Sequence, residues 1–143
     1  MAVSVQEADF DVGAEMALMT SGRADIGALV SFTGLVRDMA GGSEMMLEHY
    51  PGMTEKALEK IEAEARARWA LQDCRIIHRY GPLRAGAQIV LVITASMHRK
   101  AAFEAAEYIM DFLKSRAPFW KKEAGQGWVD AREADEAALD RWD

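Results

Sequence analysis

The chain holds a single cysteine, Cys74, in 143 residues. One thiol excludes an internal disulfide and any metal centre built from several cysteines, and it is compatible with a reducing compartment. There is no apolar run of about 18 residues of the kind that crosses a bilayer. The N-terminal stretch MAVSVQEADFDVG has neither a basic region nor an apolar stretch of the secretory type, so a cytoplasmic location and no membrane partner are expected. Positive charge is also scarce, with 17 Lys and Arg against 23 Asp and Glu and a net charge of −6. Neutralising several phosphates calls for a broad basic surface, so nucleic acid is not an expected partner. Finally, no phosphate-cradling glycine loop, HExxH or GxSxG occurs, and neither a cofactor nor a metal is expected.

Half the residues are hydrophobic and only three are proline, which suits one globular domain spanning residues 1–143. Within this acidic chain the cations gather in one place. From Arg99 to Lys122 there are six Lys or Arg (Arg99, Lys100, Lys114, Arg116, Lys121, Lys122) against Glu104, Glu107 and Asp111. The acids gather after it, from Glu123 to Asp143, and the end of the chain from about residue 133 reads as a solvated tail.

Periodicity predicts an α+β fold, an antiparallel sheet with packed helices. Residues 2–7 suit a short edge strand, and Val12, Met16 and Met19 lie at helical spacing before a stop at Gly22. The branched run Ile26 to Phe32 reads as a central strand, with Gly34 marking a bulge or a close backbone approach. Met46 to Tyr50 is a second short strand. Thr54 is a suitable N-cap for a helix to about Trp69, whose inward stripe is Leu58, Ile61, Ala65 and either Arg68 or Trp69. Its Glu and Lys/Arg residues read as a solvated outer face, and His49 reads as a packing residue.

Asp73 to Tyr80 alternates as a half-buried strand, with Cys74 as core filling. Gly81-Pro82 and Ala85-Gly86 then bracket a tight connection to Gln88–Ala95, apolar enough to be the most buried strand. The short connection predicts that these two strands pair antiparallel. A helix from about His98 to Ala117 should bury Phe103, Ala106, Met110 and Leu113 and expose Glu104, Glu107 and Asp111, with Lys114 at the border. Pro118 ends it. PFWKKE leaves as a strand or extended loop, and Trp128-Val129 suits a further short strand.

The remaining chemistry lies in cations: Arg37, His98, Arg99, Lys114, Lys121 and Arg132. Around a partly buried pocket such groups would bind a phosphate or carboxylate, and an ammonium near other positive charges gains a lowered pKa. Spacing alone leaves Lys114 and Lys121 as surface lysines. It leaves open a non-catalytic homodimeric anion-binding or regulatory module.

Several long strings sharpen this reading. IGALVSFTGLVRD, LEHYPGMTEKAL, IHRYGPL, SMHRKAAFEAAEYIMDFLKSRAPFWKKE and WVDARE, in this order from about Gly27 to Arg132, resemble the MoaE family, the large catalytic subunits of molybdopterin synthase. The resemblance implies an α/β-hammerhead fold, a central homodimer, and a heterotetramer completed by a small ubiquitin-like sulfur-carrier subunit at each end. It implies a sulfurtransferase: the partner's C-terminal Gly-Gly thiocarboxylate enters a pocket of the large subunit. There it delivers sulfur, twice, to cyclic pyranopterin monophosphate to form the molybdopterin dithiolene. Because the partner brings the sulfur, Cys74 need not be catalytic.

By the same resemblance Lys114 matches the essential lysine and Lys121 a second active-site lysine. Arg37, His98, Arg99 and Arg132 match residues that bind the anionic pterin, and Phe32 and Met110 match pocket walls. The loop Met39–Met45 is shorter than is usual in the family. His98-Arg99 and Lys114 are separated by roughly 22 Å along a helix rising about 1.5 Å per residue. That separation predicts a site that takes its His-Arg pair from the neighbouring subunit.

Overall fold

The computed structural model describes residues 2–37, 44–123, 128–129 and 138–142, with backbone alone for 121–123 and 128–129. Among the described residues the strands form two four-stranded sheets, and the α+β expectation holds. The first sheet has the order β1 (Val3–Gln6), β4 (Leu71–Arg79), β6 (Gln88–Ser96), β2 (Ala28–Leu35). Only β1–β4 is parallel; β4–β6 and β6–β2 are antiparallel, as expected of the 74–80 and 88–95 segments. The second sheet is β5 (Gly81–Arg84), β3 (Glu44–His49), β7 (Phe119–Glu123) and β8 (Trp128–Val129), antiparallel throughout.

The central strand β6 is buried from Val90 to Ser96 because both faces of the first sheet are covered. On one face lie α2 (Met53–Arg68) and α3 (Arg99–Arg116), which enclose Leu58, Ile61, Ala65, Ile76, Val92, Ile109 and Leu113. On the other, α1 (Val12–Thr20) brings Met19, and the segment before it Phe10, onto Ile77, Leu91 and Ile93. Ile77 is therefore as buried as Ile76, although strict alternation would have exposed it. Cys74 is 1 % exposed, and burial pushes its thiol up to about 12, so it stays protonated and fills core space.

Several expectations change. The apolar strand β2 sits at the edge of its sheet, not in the centre, so its outer backbone groups meet no strand among the described residues. Its hydrophobicity is used differently: Val30 packs toward α3's side and Leu29 toward α1's, leaving Phe32 and Leu35 exposed. Gly34 combines both anticipated roles. The register with β6 shifts beside it, and a Cβ there would lie 2.7 Å from Val90 Cγ1. Between β4 and β6 the chain does more than turn, since Gly81–Arg84 forms β5 and pairs with β3.

On α2, Gly52 at φ 83° is the N-cap, and its N–H donates to Glu55 Oε1 at 2.8 Å. Thr54 lies inside the first turn, fully buried. The outer face of α2 carries the expected Glu62–Arg66 pair at 2.8 Å. On α3 the buried positions are Ala102, Ala105, Ala106, Tyr108, Ile109 and Leu113, whereas Phe103 is 59 % exposed. The alanines explain this shift. They let the helix lie so close to β6 that Thr94 Oγ1 donates to the Ala102 carbonyl at 2.7 Å, and the helix is rotated with Phe103 outward.

A 3-10 turn, Leu139–Trp142, docks on the same helix. Asp111 Oδ2 accepts from Arg141 Nη2 at 2.6 Å and Trp142 Nε1 at 2.5 Å, so Asp111 is a docking carboxylate rather than part of a wet face. The indole meets Trp69 and Tyr108 edge-on, and the Arg68 guanidinium lies over Tyr108 with its carbon 4.9 Å from the ring centroid.

Candidate active site

The topology sorts the candidate residues by where they fall along β6. His78 and Gly34 both pair with Val90, near the start of β6, and Arg37 follows shortly after Gly34. Only Met97 and His98 separate β6 from α3, which runs back over the sheet. The C-terminal end of α3, with Lys114, therefore lies at the same end of the sheet as Arg37 and His78. Both Lys114 and Arg37 are exposed. A lysine in the last turn of a helix also sits favourably against the helix dipole.

From Lys114 the chain passes Ala117, the α3 C-cap in extended geometry, and enters β7 at Phe119. Lys121 belongs to β7, with its Cα opposite Leu47 on one side and Val129 on the other. The two lysines thus flank one short turn at Pro118. Half-buried Met110 packs against the core one helical turn before Lys114. Phe32, 41 % exposed, lies on β2 opposite Val92, on the sheet face that α3 covers.

His98 and Arg99 are elsewhere. His98 is the α3 N-cap, exposed and extended at φ −127°, and its N–H donates to Ser96 Oγ at 3.4 Å. Ser96 pairs with Ala28 at the far end of the sheet. The pair is thus at the opposite end of one unbroken helix from Lys114, as the spacing requires. Arg132 and the segment Asp38–Ser43, which includes most of the short loop, lie outside the described residues.

Around the Pro118 turn the structure adds residues that cation counting does not find. His78 is 6 % exposed and stacks on Phe119, with centroids 3.7 Å apart and planes at 18°. Its Nδ1 lies 2.8 Å from the Arg79 carbonyl, an acceptor, so this nitrogen carries the proton. Burial, and then the positive charge of Lys114 and the proximity of His49, push the His78 imidazole down to about 4, so the ring is neutral at physiological pH. His49, at the end of β3, packs on Tyr80 at 4.1 Å and reaches Phe119 at 6.4 Å between centroids. Its expected packing role holds, yet its buried Nδ1 has no hydrogen-bond partner among the described residues.

This depressed basicity has a direct consequence for stability. Above the ordinary value of 6.5 the imidazole is neutral whether the chain is folded or unfolded. As pH falls from 6.5 toward 4 the unfolded chain takes up the proton first, so the folded state loses stability across that window. The loss attributable to His78 is on the order of 3 kcal/mol. Urea unfolding at a series of pH values should show a shallower decline between pH 6.5 and 4 for His78→Phe than for the wild type; parallel curves would contradict it.

Among the described residues no group of three or more His, Cys, Asp or Glu side chains could hold a metal ion. Lys114 and Arg37 are exposed cations at the end of the sheet where His78 stacks on Phe119, residue types suited to a small anion and a proton transfer. The sequence profile described as "MoaE protein" matches residues 5–116.

The chain belongs to the MoaE family.

MoaE relatives share most of its length. The molybdopterin synthase catalytic subunit of Mesorhizobium japonicum is 57% identical over 146 residues, covering 98% of this chain and 92% of that protein. The protein of the same description from Ralstonia nicotianae is 60% identical over 146 residues, covering 98% and 83%. Among solved structures, the molybdopterin biosynthesis MoaE protein from Burkholderia ambifaria superposes with a TM-score of 0.87 at 53% identity, over 99% of this chain and 98% of that one. Molybdopterin synthase from Staphylococcus aureus gives 0.80 at 32% identity, over 90% and 97%. The MoaE architecture is thus shared along nearly the whole chain.

Proposed function

We propose that this chain is the catalytic subunit of a molybdopterin synthase, a cytoplasmic sulfurtransferase. In this reading it takes sulfur from the thiocarboxylated Gly-Gly C-terminus of a small ubiquitin-like subunit and transfers it to cyclic pyranopterin monophosphate. The observation that carries this reading is the placement of Lys114 and Lys121 on the two sides of one turn, with Arg37 at the same end of the sheet, in a chain so similar to MoaE proteins.

The residue types suit the chemistry. Arg37, with Arg132, His98 and Arg99, provides charge for the cyclic phosphate, and Phe32 and Met110 provide apolar walls for the pterin. Lys114 acts as general acid/base or holds the partner's terminal carbonyl as its bond to sulfur breaks. Lys121 stabilises the negative charge that develops. No thiol of this chain takes part, in keeping with the buried, protonated Cys74.

The distance along α3 supports a homodimer in which each site draws His98 and Arg99 from the neighbour. So do the outer edge of β2, which meets no strand among the described residues, and the exposure of Met97 and Phe103, apolar side chains that a second subunit would cover. With the small subunit at each end, the assembly is a heterotetramer.

Reconstitution tests the reading. The purified chain, thiocarboxylated small subunit and cyclic pterin should together yield the dithiolene. A bulky residue appended to the partner's Gly-Gly tail should abolish the product, because a tail docked through a narrow groove needs residues without side chains there. Binding without turnover would instead identify an anion-binding module, and full activity with the bulky tail would refute the docking mode.

A further inference from the structure

We propose that His78 is a positioning residue for sulfur transfer: its ring, stacked on Phe119, fixes the turn at Pro118 and so sets Lys114 and Lys121 relative to each other. The inference rests on the sulfurtransferase reading above and extends it to a side chain that touches neither lysine's chemistry directly. Three observations carry it.

The first is that the turn is gripped from outside its own segment. Thr54 Oγ1 donates to the Pro118 carbonyl at 3.3 Å and accepts from the Tyr50 N–H at 3.0 Å, while the Phe119 N–H donates to the Ala117 carbonyl at 2.8 Å. Thr54 holds the backbone of the turn. What remains is rotation and slippage of the strand that leaves it, and Phe119 is the first residue of that strand.

The second is the ring contact itself. His78 is nearly coplanar with Phe119 at stacking distance, and His49 flanks the same ring, so two imidazoles from two different sheets bracket the start of β7. The third is that the His78 ring cannot turn freely. Its Nδ1–H donates to the Arg79 carbonyl. The Arg79 guanidinium in turn donates to the carbonyls of Glu7 and Gln88 at 2.9 Å each, bracing the end of β4. The plane on which Phe119 rests is thus referenced to the centre of the first sheet, whereas Lys121 belongs to the second. A misplacement of about 1 Å at reacting groups can cost on the order of 100-fold in rate.

The experiment compares wild type, His78→Ala, His78→Phe and Phe119→Leu in reconstitution with the thiocarboxylated small subunit and cyclic pterin. Thermal unfolding and amide hydrogen exchange are followed in parallel. His78→Ala should lower kcat about 10- to 100-fold, with less than about a 3-fold change in the KM for the small subunit. Amides of residues 119–121 should exchange faster while those of β6 keep their protection. The neutral imidazole makes phenylalanine a fair substitute for the stack, so His78→Phe should restore kcat to within about 5-fold of wild type. Phe119→Leu removes the same contact from the other side, and should reproduce the kcat loss if His78→Ala fails to fold.

Unchanged kcat in folded His78→Ala or Phe119→Leu overturns the proposal. So does a loss in His78→Ala that tracks KM or melting temperature alone, or one that His78→Phe does not rescue. A wild type that forms no dithiolene overturns the sulfurtransferase reading instead, while exchange at residues 119–121 still decides whether His78 anchors the turn.

Discussion

Lys114→Ala should reduce dithiolene formation at least about 100-fold, the usual scale for removing a general acid/base from a transition state, while leaving the fold and the affinity for the small subunit intact. The side chain is exposed at the end of α3, so its truncation leaves no cavity and no unpaired buried group. The core residues around it, Ile109 and Leu113, pack through other contacts. Measured by single-turnover product formation and by partner titration, the loss should fall on kcat. Undiminished turnover would remove Lys114 from the mechanism, and lost partner binding would recast it as a docking residue.

An equally large effect should come from subunit mixing. Lys114→Ala and Arg99→Ala homodimers should each be nearly inactive, because every site in each lacks one essential cation. In a mixed dimer whose sites draw Lys114 from one subunit and Arg99 from the other, one site carries both substitutions and its mate carries neither. Random re-pairing of equal amounts makes about half the dimers mixed, each with one intact site, so activity should recover to about a quarter of wild type. Tagged co-expression followed by tandem purification would isolate the mixed species. No recovery would mean that each site is built within one chain, against the separation of Arg99 and Lys114 along α3.

Much of the architecture can be read from periodicity because it is set by local pattern. The α2 stripe of Leu58, Ile61 and Ala65 and the apolar run of β6 are strong enough to fix element type and burial together. Where the reading departs from the structure, the deciding interaction is distant. Gly81-Pro82 looks like a turn, and becomes a strand only because β3, far back in the chain, pairs with it. Phe103 looks like core, yet three alanines let α3 approach the sheet more closely on another side. The branched run of β2 cannot say whether both its edges are paired.

The site shows the same division. The cations of the Arg99–Lys122 segment are evident by charge, and the long strings around them point to the family. His78 and His49 fall within two of those strings, but nothing in the strings marks either ring for the site. One reads as an alternating strand residue and the other as packing, and only the tertiary fold brings both rings to Phe119. Thr54 likewise has the composition of a cap, but its hydroxyl is spent on the Pro118 carbonyl.

Only Tyr80 separates β4 in the first sheet from β5 in the second. With so short a tether, and with His49 packed on that tyrosine, the two sheets have little freedom to hinge. The strand bearing Lys121 is therefore held in place before any partner arrives. On the proposed function, the entropy of ordering the transfer complex then falls on the incoming peptide tail rather than on this chain.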